Sequence, residues 1–283
     1  MLTLLHISDL HFGPPYVPAV GDALLRAAVD LQPDVIVASG DFTQRAKPAQ
    51  FAAARAFLDQ LPPKPLVVVP GNHDIPLYRV LERLLSPYTL YQQFISPELN
   101  SVYRRDDAIF VALNTTSPLR AITNGRIERW QLDFCADAFR DAPAGAAKIV
   151  VAHHHFAPAP DYENEHDVMR RARLAIDRFN EMQVDLILGG HLHRAYIGNS
   201  LDIYPSQDRT SGIIIAQSGT TTSQRGRARE REKNSFNLIK IGPDVAHITH
   251  FMYFHEAGGF APASRHDFPR RHCHYLSGPD GVV

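Results

Sequence analysis

The chain has 283 residues, with 29 Lys and Arg against 30 Asp and Glu for a formal charge of −1. That near balance excludes a global field that would gather nucleic acid or an anionic membrane, and the length suffices for one large α/β domain with a sizeable core. Two cysteines, Cys135 and Cys273, argue against a disulfide framework and for a reducing, cytoplasmic setting, while fifteen histidines are the compositional exception.

The N-terminal run "MLTLLHISDL" reads as a strand, because it has no basic n-region and turns polar after five residues; no apolar run approaches the length of a membrane span. Thr3 to Ser8 leads into "DLHFG" and a helix from about Val17 to Leu31. Val35 to Ser39 leads into "GDFTQR" and an Ala-rich helix beginning near Pro48, and Leu66 to Val69 leads into "PGNHDIP". This is βαβαβ. Residues 75–100 are helical and aromatic and read as a cap inserted after the third strand. Strands are expected over Ser101 to Arg105 and Ile109 to Leu113, with an amphipathic helix over Ile127 to Phe139.

The alternation resumes with Lys148 to Ala152, which ends in His153, His154 and His155. A helix from about His166 to Met182 precedes Asp185 to Leu188 and "GGHLHR". Beyond this point, Tyr196 to Tyr204, Gly212 to Gln217, Phe236 to Ile241 and Val245 to Phe254 read as strands without helices between them. One domain over 1–257 is expected, followed by a Gly, Pro and charge-rich tail over 258–283.

Polar side chains recur where strands end: Asp9 and His11, Asp41, Asn72 and His73, His153, then His191 and His193. In parallel α/β sheets such ends converge on one crevice. Carboxylates and imidazoles suit Fe, Mn or Zn, and seven oxygen and nitrogen donors exceed what one ion requires. Two ions sharing a carboxylate, about 3.5–4 Å apart, would use them.

Taken in order, "DLH", "GD", "GNHD", a strand-end "HH" and "GHLH" resemble the calcineurin-like metallophosphoesterase superfamily, over Asp9 to His193. The resemblance implies a β-sandwich of two mixed sheets flanked by helices. It implies Asp9, His11 and His193 on one metal, Asn72, His153 and His191 on the other, and Asp41 bridging. His73 would contact phosphate or protonate the leaving group. His154 is the second choice for the metal-binding member of the triplet. His155 is expected to face substrate, and Asn114, at another strand end, to border the crevice. "HISDLHFG", "SGDFT" and "PGNHDIP" look most like bacterial cyclic-nucleotide and glycerophosphodiester phosphodiesterases. Gln44 stands where protein Ser/Thr phosphatases of the superfamily carry an aspartate, which argues against phosphoprotein substrates.

The expected activity is hydrolysis of a small phosphodiester by metal-activated hydroxide. The competing readings are a phosphomonoesterase, a nuclease, which the neutral charge disfavours, a lipid-pyrophosphate hydrolase, and a non-catalytic metal-binding scaffold. A homodimer through the β-rich part is a further expectation. The run Arg225 to Lys233, five basic residues with Glu230 and Glu232, reads first as a solvated loop and second as a loop gating the site, and "RRHCH" near the end reads as tail.

Overall fold

In the computed structural model, residues 1–119, 123–158, 168–204, 212–226 and 233–270 are described. Two six-stranded sheets form the frame. The first runs β12-β11-β10-β1-β2-β3, using β1 (Leu2–Ile7), β2 (Val35–Ala38), β3 (Leu66–Val68), β10 (Ser235–Ile241), β11 (Val245–Phe254) and β12 (Gly259–Pro269). The second runs β4-β5-β6-β7-β9-β8, from β4 (Ser101–Arg104), β5 (Ala108–Leu113), β6 (Ala147–Ala152), β7 (Leu186–Gly189), β8 (Tyr196–Asn199) and β9 (Ile214–Gln217). The expected sandwich of mixed sheets is present: β1, β2 and β3 are parallel, as are β5, β6, β7 and β9, while the remaining strands pair antiparallel.

Near-continuous apolar strands make this possible, since alternate residues face opposite sides. Leu2, Leu4, Val35, Val37, Val67 and Val69 meet Phe110, Ala112, Ile149, Val151 and Leu188 between the sheets. The intervening residues Leu5, Ile7, Ile36 and Ala38 pack outward on α1 (Pro18–Leu31) and α2 (Pro48–Leu58). On the other side Ile109, Val111 and Val150 meet α5 (Arg129–Arg140) and α6 (Ala172–Glu181). Each helix offers one apolar stripe: Leu132, Cys135 and Phe139 from α5, and Ala172, Ala175, Ile176 and Phe179 from α6. The result is a helix, sheet, sheet, helix stack.

The segment after β3 contains α3 (Val80–Leu85) and α4 (Thr89–Phe94). Tyr91 is buried against Phe42, whereas Leu81 and Leu85 are 74% and 82% exposed. Polar contacts tie this cap to the strand-end loops. Arg79 donates to the carbonyls of Arg45 and Ala46, and the Tyr88 hydroxyl lies 2.9 Å from Thr116 Oγ1.

Three boundaries differ from expectation. The strand expected over Tyr196 to Tyr204 stops at Asn199, whose side chain accepts from the Leu201 amide and starts the single turn α7 (Ser200–Ile203). The helix expected from His166 begins at Ala172, with residues 159–167 outside the described set. The domain does not end at 257, because β12 pairs with β11 through Pro269. Arg270 then donates to the carbonyls of Gly242 and Gly145 and reaches Asp185 at 3.3 Å, which pins the end of the strand between the sheets' edges. Residues 271–283, including the rest of "RRHCH", lie outside the described residues. No helix among those described is long and apolar enough to cross a membrane.

Candidate metal centre

Each parallel strand that ends at the same edge of the sandwich delivers polar side chains to one place. Asp9 and His11 follow β1, Asp41 follows β2, Asn72 and His73 follow β3, His153 follows β6, and His191 and His193 follow β7. Asp9, His11, Asp41 and His193 form one group, each offering a ligand atom within 4.8 Å of the others; His153, His154 and His191 form a second. Asn72 belongs with the second, its Oδ1 lying 3.2 Å from His153 Nε2 and 3.0 Å from His191 Nδ1. Asp41 Oδ2 stands between the groups, 3.6 Å from His11 Nε2 and 3.4 Å from His153 Nε2.

The carboxylates divide their labour. Asp9 Oδ2 accepts from the Ser8 hydroxyl and the His191 amide, and Asp41 Oδ1 accepts from the His73 amide. Their other oxygens, Asp9 Oδ1 and Asp41 Oδ2, are buried without a hydrogen-bond partner. An uncompensated buried carboxylate oxygen costs several kcal/mol, on the order of the desolvation of a charged group, unless a cation meets it. The imidazoles are set the same way. His153 Nδ1 lies 2.7 Å from the Ser39 carbonyl and His193 Nδ1 lies 3.0 Å from the Arg225 carbonyl. A carbonyl only accepts, so each Nδ1 carries the proton and each Nε2 presents its lone pair to the cluster.

Charge states follow the same plan. Burial alone would raise the Asp9 and Asp41 carboxyls, but His193 and His11 around Asp9, and His153, His73 and His11 around Asp41, hold both well below the usual carboxylate range. Burial pushes His11 down to about 4 and His191 well below its ordinary value. His153 goes the other way, to about 9: burial is the largest single influence and lowers it, but the Asp41 and Asp9 charges and the bonds to Asp41 and the Ser39 carbonyl together outweigh it. Ionised carboxylates and neutral imidazoles are what a divalent ion requires. The residues present fit a pair of cations.

Backbone geometry marks the same residues. Asp9, His11, Asp41, His191 and His193 all have φ between 50° and 73°, the left-handed region that costs a non-glycine residue on the order of 1 kcal/mol. Neighbouring glycines let the turns close: a Cβ on Gly40 would stand 2.7 Å from His153 Nδ1, and one on Gly71 would strike the Asp41 carboxylate and amide.

The other expected residues separate. His73 sits at the mouth of the cluster, its ring 4.9 Å from that of His11 and its Nδ1 2.9 Å from the Gln44 carbonyl. His155 stacks on His191 at 5.6 Å. Asn114 instead turns inward on its own loop, its Oδ1 accepting from the amide and hydroxyl of Thr116. The neighbour Thr115 is the one that reaches the centre, its hydroxyl 2.8 Å from His154 Nδ1.

Several supporting residues escaped the sequence reading. Asp74 accepts from the amides of Phe42, Thr43 and Gly71, tying the β2 and β3 loops together; burial and the Asp41 charge raise its carboxyl to about 7 against those donors. After β9, Thr220 and Thr222 donate to the carbonyls of Asp9 and Leu10, and Thr221 exchanges bonds with Ser8. Arg225 lies beside His73, while residues 227–232 of its basic run are outside the described set. The signal available was position: β9 is one more parallel strand, and its end carries "SGTTTS".

Residues 2–195 match the family described as Calcineurin-like phosphoesterase. The chain is 28% identical over 268 residues to a cAMP/cGMP dual specificity phosphodiesterase of Mycobacterium tuberculosis, covering 86% of this chain and 76% of that protein. Among solved structures, a purple acid phosphatase from yellow lupin superposes with a TM-score of 0.68 at 13% identity, over 88% of this chain and 51% of that one. GAP50, titled the anchor in the inner membrane complex of Plasmodium, superposes at 0.61 with 12% identity, over 95% and 89%. These two likenesses concern the fold.

Proposed function

The chain belongs to the calcineurin-like phosphoesterase family and is a metal-dependent phosphoesterase, and from that premise we propose that it hydrolyses a small phosphodiester, with cyclic nucleotides as the first substrate class. The observation that carries this reading is the placement of Asp41 Oδ2, buried without a hydrogen-bond partner and set between the His11 and His153 imidazoles. The named activity of the mycobacterial relative supports the substrate class.

In this reading Asp9, His11 and His193 would hold one cation and Asn72, His153 and His191 the other, with Asp41 available to both. Such a pair supplies positive charge to phosphate oxygens and lowers the pKa of water enough to provide a nucleophile near neutral pH. The ligand chemistry admits Fe, Mn or Zn. The protein's own part is orientation. Ser39, Arg225 and Gln44 carbonyls fix three imidazoles by Nδ1, and the His73 amide fixes Asp41. Because His73 Nδ1–H stays on Gln44, any proton it gives to the departing alkoxide leaves from Nε2. The two cysteines support a cytoplasmic setting for this activity.

Asp41→Ala is expected to abolish turnover of bis(p-nitrophenyl) phosphate by Mn-loaded protein. A panel of cyclic nucleotides, glycerophosphodiesters and monoesters on the wild type is expected to favour the cyclic diesters. Retained activity in the variant, or preference for monoesters, would overturn the proposal.

A further inference from the structure

The loop from Gly219 to Gly226 is held more firmly than a solvated connection needs. Thr221 and Ser8 exchange two bonds at 3.0 Å, Thr220 and Thr222 donate to Asp9 and Leu10 at 2.7 and 2.9 Å, and the Gln224 amide donates to the Pro15 carbonyl at 2.9 Å. Asn234 secures the Ser223 carbonyl from the other side at 2.9 Å. Arg225, next in line, therefore arrives at a fixed place.

Both ends of Arg225 touch the centre. Its carbonyl receives His193 Nδ1–H. Its Nη1 donates to Gln44 Oε1 at 2.9 Å and lies 3.2 Å from His73 Nε2. Since His73 spends its Nδ1–H on the Gln44 carbonyl, the neutral ring offers Nε2 only as an acceptor, and a guanidinium is the donor it faces. For that Nη1 an anionic phosphate oxygen is a stronger partner than an amide oxygen or an imidazole, because it meets the guanidinium charge with a full opposite charge.

We propose that Arg225 is a substrate-binding residue of this centre: Nη1 donates to a non-bridging oxygen of the phosphate, and Gln44 holds the guanidinium in place beside His73. Phosphate thereby takes Nη1 away from His73 Nε2. Of the basic run, Arg225 has the geometry for this role on the described residues, and it deepens the phosphodiesterase reading on which it rests.

The test compares metal-replete wild type, Arg225→Ala and Arg225→Lys. Four quantities are read: metal per chain, affinity for inorganic phosphate by calorimetry, kcat/KM on bis(p-nitrophenyl) phosphate, and rescue of the alanine variant by added guanidinium. Arg225→Ala should keep its metal, bind phosphate at least tenfold more weakly and lose about 10²-fold in kcat/KM. Guanidinium should restore part of both, and lysine should be intermediate, because it keeps the charge without the fork. Unchanged phosphate affinity overturns the inference. Loss of metal together with activity also overturns it, since Arg225 would then act only through His193. If the wild type binds phosphate but turns over no diester, the phosphodiesterase reading fails while the phosphate affinities still judge Arg225.

Discussion

The strand-end centre and the cap adjoin in the chain, His73 lying two residues before the cap begins, and are built on opposite terms. Asp9, His11, Asp41 and His153 are fully buried, each with its backbone or side chain fixed by neighbouring loops. Tyr78, Leu81 and Leu85 are 72% to 82% exposed, and the cap meets the centre's loops through Arg79 and Tyr88. The centre cannot yield without losing its geometry, whereas the cap can change and leave the geometry alone. The exposed face of the cap is therefore separable from the geometry of the centre, and loops on a fixed frame are where families diversify.

The sharpest way to break that comparison is to add one carbon to the centre. Gly71→Ala places a Cβ against the Asp41 carboxylate and amide. The variant should lose metal and at least about 10²-fold of its activity, in keeping with the penalty for small displacements of reacting groups. Full metal occupancy by elemental analysis would mean that the centre is softer than its packing implies.

A second probe asks whether burial elsewhere in the frame behaves differently. His250 on β11 bonds Asn237 Oδ1 at 3.1 Å, and burial, helped by His266 and Lys233, lowers its pKa from 6.5 to about 4. The folded protein thus binds fewer protons there than the unfolded chain. Its contribution is present above pH 6.5 and is lost as pH falls toward 4, by up to about 1.4 kcal/mol per pH unit. Thermal melts at pH 7 and pH 5 should show a loss that His250→Asn reduces. An equal loss in the variant would assign acid sensitivity to other groups.

The smallest effect belongs to the cap. Leu81→Ser with Leu85→Ser should leave metal content unchanged and stability within about 0.5 kcal/mol, as exposed positions do. The ratio of kcat/KM between cyclic and linear diesters should move. A constant ratio would remove the cap from substrate choice.

Most of this contrast could be anticipated from the order of residues. Apolar runs that break into Asp, His or Asn mark strand ends, and both faces of the central parallel strands are apolar because the sheets are covered on both sides there. The helix-poor last third was equally legible. What escaped was set by strand pairing and by hydrogen bonds between loops. β12 is largely exposed and carries no hydrophobic alternation, so its residues looked like tail. Asn114 was chosen for its position, but position does not reveal that a side chain will cap its own loop. Arg225 looked like one charge among five, and what distinguishes it is the threonine stitching upstream, a three-dimensional fact.

The left-handed turns at Asp9 and Asp41 have an evolutionary corollary. Asparagine visits that torsion at little cost, so an acid-to-amide exchange there would be conformationally silent while removing the negative charge that these positions would offer a cation. Such a lineage would keep its architecture intact as an inert shell and could take up pure docking duties without ever having to refold.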